Sequence, residues 1–296
     1  MTSRRSVLKT MAQASLLGAA GAPLVRELLA QPAPGAAGTG AQPLGEGLAR
    51  AAAVQRCGVQ LYTVRGEMQK SVEATLARVA SIGYKEVEFA GYFGRTPKQV
   101  ADALRANGLT APSVHIPVND FLADASKTLD TVEAVGHTFV VVPYLEARDR
   151  TLDNYKRLAD SFNVWGAASR KRGIQFAYHN HDFEFETVGG EVPFDLLLAR
   201  CDKALVQFEM DLFWINKAGR NPLDYFARHP GRFPLVHVKD MRADGTMTEV
   251  GHGAIPFAQY VRQASQAGIR HYFVEHDNPR DPFASIATSF KALSAL

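Results

Sequence analysis

Only two cysteines occur in 296 residues, Cys57 and Cys201, and they lie far apart. A disulfide framework is therefore excluded as what holds the chain together, and each thiol reads as a small buried hydrophobe. Charge of one sign is equally scarce. Against 33 Lys and Arg stand 30 Asp and Glu, a net charge of +3, and much of that excess sits in one block with Arg4, Arg5 and Lys9. This leaves no basic stripe for nucleic acid. Long apolar runs are missing too: Met11 to Leu24 is too short and too weakly apolar for stable insertion into a membrane. Nor does a glycine-rich phosphate loop follow the first strand candidate, which continues GVQLYTVRGE. What is present, 46% hydrophobic and 21% charged residues, is ordinary for a folded domain with a sizeable core.

The N-terminus has an organisation of its own. Ser3-Arg4-Arg5-Ser6-Val7-Leu8-Lys9 followed by an alanine-rich stretch resembles the twin-arginine export signal of bacteria, over residues 1–30. Residues 31–54 are rich in Pro, Gly and Ala and read as a linker. Such a leader implies the twin-arginine export machinery as a partner, a periplasmic location and export in the folded state, so that a metal could be loaded beforehand. The remaining residues, 55–296, suit one catalytic domain of barrel size.

From residue 56 on, short β-type runs alternate with helical periodicity. The strand candidates are Cys57 to Tyr62, Glu86 to Phe89, Pro112 to His115, Thr138 to Val142, Ile174 to Tyr178, Val206 to Met210, Leu235 to Val238 and Tyr272 to Val274. Between and after them, 3.6-residue patterns predict helices over Val72 to Ile82, Pro97 to Asn107, Thr128 to Val135, Leu152 to Arg172, Pro193 to Arg200, Pro222 to Arg228, Phe257 to Ala267 and Ala284 to Leu293. Five helix-stop glycines lead straight into the next strand, in SIGYKEVEF, ANGLTAPSVH, AVGHTFVVV, KRGIQFAYH and QAGIRHYFVE. Repeated βα units with apolar strands predict a (β/α)8 TIM barrel.

In such a barrel, chemistry belongs at the C-terminal ends of the strands. Those ends carry Gln60, Tyr62, Glu88, His115, Glu146, His179, His181, Glu209, Asp211, His237, Lys239, Asp240, Glu275, His276 and Asp277. Turns alone would favour Gly, Ser, Asn and Asp. His179, Asp211, His237 and Glu275 come from four consecutive strands and form a candidate metal set. Two nitrogens and two carboxylates suit Mn, Fe, Co or Zn better than Mg.

The runs FEMDLFWINKAG, PLVHVKDM, EVGHGAIPF and YFVEHD resemble the sugar isomerase/epimerase group with the xylose isomerase-like barrel, over about residues 56–296. That resemblance implies a metal Asp at Asp211, a metal His at His237 and a metal Glu at Glu275. It implies a sugar or sugar derivative as the small-molecule substrate. The group includes ketose 3-epimerases, inosose dehydratase-like enzymes and lyases of 3-keto glycosides. Its epimerases end the fifth strand in Glu, where this chain has His179 in YHNH, and they move protons with a pair of glutamates. The histidine-rich fifth strand looks more like the dehydratase and lyase branches.

The leading expectation is a metal-dependent isomerase or epimerase acting by proton abstraction beside a metal-chelated carbonyl of an unphosphorylated sugar. The alternatives are elimination on the same site, by a 3-keto-glycoside lyase or inosose-type dehydratase, and a non-catalytic periplasmic sugar-binding protein. An AP endonuclease, which shares the barrel, would need a basic groove that is missing. Glu275, His181 and Lys239 are the catalytic candidates, with His181 and His179 both open as the ligand from their strand. Tyr62, Glu88, His115, Glu146 and Trp214 are the substrate-binding candidates, with Phe93 as a further apolar wall. His252 reads as a loop residue, His271 as lying at the opposite end of its strand, and Phe162 and Trp165 as core. A homo-oligomer is left open.

Overall fold

The computed structural model describes residues 57–296. The leader and linker expected before them lie outside the described residues. Eight parallel strands close into a barrel: β1 (Gly58–Gln60), β2 (Glu86–Ala90), β3 (Thr110–His115), β4 (Phe139–Val142), β5 (Gln175–His179), β6 (Val206–Asp211), β7 (Leu235–Val238) and β8 (His271–Val274). Each pairs with its sequence neighbours, and β8 pairs back onto β1. The expected (β/α)8 barrel is thus the fold. Among the described residues no helix is long and apolar enough to cross a membrane.

Local chemistry explains the boundaries. Helices begin where Ser71, Thr96, Thr151 and Asp281 accept from backbone N–H groups three residues on, and Thr96 with Gln99 completes a capping box. The five helix-stop glycines read from the sequence all adopt positive φ.

Several elements differ from expectation. β1 is shorter, because Leu61–Val64 form a 3-10 turn in which the Gln60 side chain accepts from the Tyr62 N–H at 2.9 Å. β5 and β6 each run one residue further, which makes His179 and Asp211 their last residues. The helix expected from Thr128 begins at Val118 and kinks at Asp124, and Pro117 at its N-cap provides no capping side chain that would mark the start. A short helix, Leu212–Lys217, follows β6 directly. Phe257 to Ala267 divides into Phe257–Arg262 and Ala264–Ala267.

The two-residue period of the strands sorts side chains between two interiors. Tyr178, Phe208, Met210, Val236, Val238, Tyr272 and Val274 join the large core that includes Leu76, Val79, Phe162, Trp165 and Ile286 from the helices. Phe139, Val141, Ala177, Leu235 and Phe273 form a second, separate buried cluster. Two positions beyond Ala177, Leu235 and Phe273 on the same strand face come His179, His237 and Glu275. One strand face is therefore apolar at its start and ionisable at its end, which sets a polar site upon a dry floor. Gly58 belongs to that floor, since a Cβ there would meet the Phe273 ring at 2.5 Å. His271 pairs with Glu86 at 2.8 Å on the first residue of β8, at the end away from the site, as expected.

Two loops are pinned by buried carboxylates. Glu184 is fully buried and accepts from the Tyr178 hydroxyl at 2.5 Å and from the His181 N–H at 2.7 Å, which fixes the YHNH segment. After β7, Asp240 accepts from the N–H groups of Met241, Gly251, Gly253 and Ile255 at 2.8, 3.0, 2.9 and 3.1 Å. Gly253 is needed for this close approach, because a Cβ there would stand 2.2 Å from Asp240 Oδ1. His252 between these glycines is an exposed loop residue, as expected.

Two stability measurements test this account. Gly166 lies inside Leu152–Arg170, where alanine should gain about 1 kcal/mol of helix propensity. A Cβ there would meet the Leu205 backbone oxygen at 2.6 Å, so Gly166→Ala should instead lose about 1–3 kcal/mol, read from the urea midpoint. Burial pushes the Glu184 carboxyl up to about 7 from its ordinary 4.5, against the lowering effect of the Tyr178 and His181 bonds. A raised acid favours the fold while protonated; its contribution is complete below pH 4.5 and is lost as pH rises through about 7. Between pH 4.5 and 8, Glu184→Gln should therefore gain on the wild type by up to about 3 kcal/mol, and a pH-independent difference would contradict the assignment.

Candidate metal centre

At the mouth of the barrel the strands deliver two linked tiers of ionisable groups. The upper tier is Asp211, His237 and Glu275, whose ligand atoms lie within 4.8 Å of one another. His237 Nδ1 is 2.7 Å from Glu275 Oε2 and 3.9 Å from Asp211 Oδ2. The lower tier is His115, His179, Glu209 and His237, again within 4.8 Å. His237 belongs to both, one ring nitrogen in each.

Asp211 and His237 of the upper tier are each aimed by a partner outside it. Asp211 ends β6 and caps the following helix, its Oδ1 accepting from the Phe213 and Trp214 N–H groups at 2.8 and 2.9 Å. That fixes the carboxylate and leaves Oδ2 to the site. His237 Nε2 is 2.6 Å from Glu88 Oε2, and Glu88 is held in turn by Gln60 Nε2 at 2.8 Å and by the Ser113 hydroxyl. A carboxylate behind the imidazole is how ligating histidines are oriented, and it turns Nδ1 towards Asp211 and Glu275. His179 repeats the pattern: Nδ1 lies 3.2 Å from Glu209 Oε2 and Nε2 lies 3.6 Å from Asp211 Oδ2.

The residues fit a divalent cation. Asp211 Oδ2 and His237 Nδ1 are buried without a hydrogen-bond partner, and unsatisfied buried polar atoms are rare in native proteins. Here two converge with Glu275 Oε2 on one point, from carboxylate and imidazole donors of the kind divalent metals take.

Electrostatics favour charged groups despite complete burial. Burial alone would raise the Glu275 carboxyl, but Lys239 and His237 hold it well below the usual carboxylate range. Burial raises Asp211 to about 6, with Lys239 and His237 acting against it. Burial would lower His237, yet Glu209, Glu275 and Glu88 hold it well above an ordinary histidine, so a cation on Nδ1 would have to displace a proton. Lys239 is likewise held charged against burial by Asp211, Glu275 and Asp277. Burial, aided by the charge of His237, lowers His179 to about 3 and leaves it a neutral imidazole, the ligating form.

Above this centre opens a cavity of about 730 Å³ lined by residues that include Tyr62, His115, His179, His181, Trp214, Lys239 and Glu275. These candidates therefore meet in one place. Asp211 and His237 lie beneath the lining, fully buried. His181 faces the cavity, with its ring stacked on Phe183 and near Trp214, and belongs to neither tier. Two of the substrate-binding candidates lie outside this lining. Glu88 is fully buried beneath His237 and does not line the cavity, because its strand face points into the barrel axis below the rim. Glu146 is exposed beyond β4 and also outside the lining; the loop instead presents Tyr144 and Arg150. Phe93 does not line it either.

Some participants were not assigned from sequence. Glu209 lies two residues before Asp211 on one strand face, and Gln60 and Ser113 hold Glu88; the two-residue period was the available signal for Glu209. Asp277, Tyr144 and Arg150 sit on loops and Phe183 opens a three-residue 3-10 turn, where no strand period operates.

Comparison with known proteins agrees with the geometry. The chain is 23% identical over 218 residues to an inosose dehydratase from Clostridium beijerinckii, an alignment covering 67% of this chain and 72% of that protein. Among solved structures, a sugar phosphate isomerase/epimerase from Parabacteroides distasonis superposes with a TM-score of 0.72 and 26% identity, covering 81% of this chain and 93% of that one. A second sugar phosphate isomerase/epimerase from the same organism gives a TM-score of 0.68 and 27% identity, with 79% and 96% covered. The family described as Xylose isomerase-like TIM barrel matches residues 76–296. With its closed barrel and its buried cluster of His and acidic ligands, this metal-using enzyme belongs to the xylose isomerase-like TIM barrel family.

Proposed function

We propose that the protein is a metal-dependent lyase or dehydratase of a keto sugar or keto-cyclitol, acting by β-elimination, with Asp211, His237 and Glu275 holding the metal and His179 completing the set. One observation carries this reading. β5 ends in the imidazole of His179, so the centre has no second carboxylate from that strand to pair with Glu275. The two-glutamate exchange implied for ketose epimerases then lacks one partner. The inosose dehydratase similarity points the same way. Isomerisation or epimerisation, the first expectation from sequence, becomes the second reading, supported by the resemblance to isomerase/epimerase structures.

Bound in this site, the metal would polarise a chelated carbonyl and make the adjacent C–H more acidic. Manganese, cobalt, zinc and iron suit the mixed nitrogen and oxygen donors better than magnesium. The chain supplies the rest. His181 faces the cavity, is kept neutral because burial holds it well below an ordinary histidine, and has Nδ1 free of hydrogen-bond partners. It takes the α-proton while its backbone is held by Glu184. Lys239, charged and in the lining, gives a proton to the oxygen leaving the β-carbon, so that water or an alcohol departs. Tyr62 and Trp214 offer ring faces to the sugar, and His115 offers a polar edge. Glu88 and Glu209 hold imidazoles rather than substrate. A functional leader over residues 1–30 would place this chemistry in the periplasm, where unphosphorylated substrates are expected.

Two experiments test the proposal. Asp211→Ala and Glu275→Ala should fold, by circular dichroism, and lose stoichiometric metal, while Glu88→Gln should weaken metal binding by about 10- to 100-fold. Full occupancy in both alanine variants would overturn the centre. Manganese- or cobalt-loaded protein should also be incubated in deuterated water with keto-inositols, 3-keto-glucosides and free ketoses. Release of water or aglycone with formation of an unsaturated ketone supports elimination. Label entering without release would favour epimerisation, and binding with neither would favour a sugar-binding protein.

A further inference from the structure

Lys239 sits against the very oxygens of the candidate ligand set. Its Nζ is 2.9 Å from Asp211 Oδ2, 2.7 Å from Glu275 Oε2 and 2.9 Å from Asp277 Oδ1. Asp211 Oδ2 and Glu275 Oε2 belong with His237 Nδ1 to the upper tier; Asp277 belongs to neither tier. A divalent cation on those two oxygens would meet a buried ammonium at close range, in a region that water does not screen. Both cannot keep the same partners.

We propose that Lys239 and Asp277 form a counter-ion relay that sets the metal affinity: cation uptake moves the ammonium off Asp211 and Glu275 and onto Asp277, which retains it beside the centre. This rests on the reading that Asp211, His237 and Glu275 hold the metal. Three observations favour the relay. The ammonium donates a hydrogen bond to Asp277 Oδ1. Asp211 Oδ2, equally near, receives no directed hydrogen bond, so that contact is one of charge and can be given up. The Asp277 side chain is 26% exposed, against 0% for Asp211 and 6% for Glu275, so of the three carboxylates it is the one able to shift. The relay also leaves the Lys239 charge in the cavity lining after metal uptake.

The test is a double-mutant cycle on the full chain, stripped with a chelator and titrated with Mn²⁺ while free Mn²⁺ is read by electron paramagnetic resonance. Lys239→Met should tighten Mn²⁺ binding by about tenfold or more, because its competitor is gone. Asp277→Asn should weaken binding by about tenfold in the wild-type background and by under about twofold in the Lys239→Met background. Equal weakening in both backgrounds would make Asp277 a source of general field only and overturn the relay, as would Lys239→Met binding no tighter than wild type. If Lys239→Met does not fold, Asp277→Asn is compared with Asp182→Asn, an acid of the same cavity lining that makes no ion pair with Lys239. A selective loss in Asp277→Asn supports the relay, and equal losses overturn it. Asp211→Ala separates the two readings: metal retained there refutes the centre itself, whereas metal lost there with no effect of Lys239 or Asp277 refutes the relay alone.

Discussion

Five carboxylates, Glu88, Glu209, Asp211, Glu275 and Asp277, converge on the mouth of this barrel, and four of them are almost wholly withdrawn from water. Their mutual repulsion and the cost of desolvation, several kcal/mol for each buried ion, would open the barrel end unless positive charge came with them. The rest of the site follows from how that charge is supplied. His115 lies 2.6 Å from Glu209, His237 bridges Glu88 and Glu275, and Lys239 contacts Asp211, Glu275 and Asp277. An imidazole with one nitrogen against a lower carboxylate keeps the other for the upper tier. The arrangement that balances the buried charge is therefore also the one that aims the candidate ligands.

A feature of the strands makes this balance possible. The inward face of β5, β7 and β8 changes within two residues from Ala177, Leu235 and Phe273 to His179, His237 and Glu275. The apolar floor supplies burial and excludes water from below, and each large side chain in it contributes about 1.5–3 kcal/mol. That contribution offsets part of the cost of holding charged groups immediately above. The ends of the strands can then be spent on chemistry because their beginnings secure the fold.

What could be read in advance follows the same physics. Strand periodicity and helix-stop glycines are local signals, and they located all eight strands to within a few residues. The metal candidates were legible because they are strand-end residues with little reason to be there structurally. Depth along the barrel axis was not legible. Glu88 and Glu275 both read as strand-end acids, yet Glu88 stands two residues before the end of β2 and lies beneath His237, whereas Glu275 follows the last residue of β8 and lines the cavity. Loop residues were the least legible. Glu146 carries a charge past β4 but lies outside the cavity, whose wall there is Tyr144 and Arg150, the Arg150 guanidinium lying 3.4 Å over the Phe183 ring.

The identity of the residue ending β5 has consequences beyond charge. A carboxylate there would add a sixth negative group to the mouth and would demand another cation, whereas neutral His179 adds a donor without adding charge. It also alters which proton transfers are symmetric. Two carboxylates on opposite sides of a carbon atom can exchange roles, one removing a proton and the other returning it, as inversion requires. Here Glu275 is tied to His237 and Lys239, while the cavity-facing groups from the β5 end are His179 and His181, imidazoles and not carboxylates. A base and an acid of unlike kind suit a reaction in which one proton is taken from carbon and another is given to a departing oxygen. That asymmetry, built from the same charges that keep the barrel mouth closed, is the physical reason for preferring elimination over inversion.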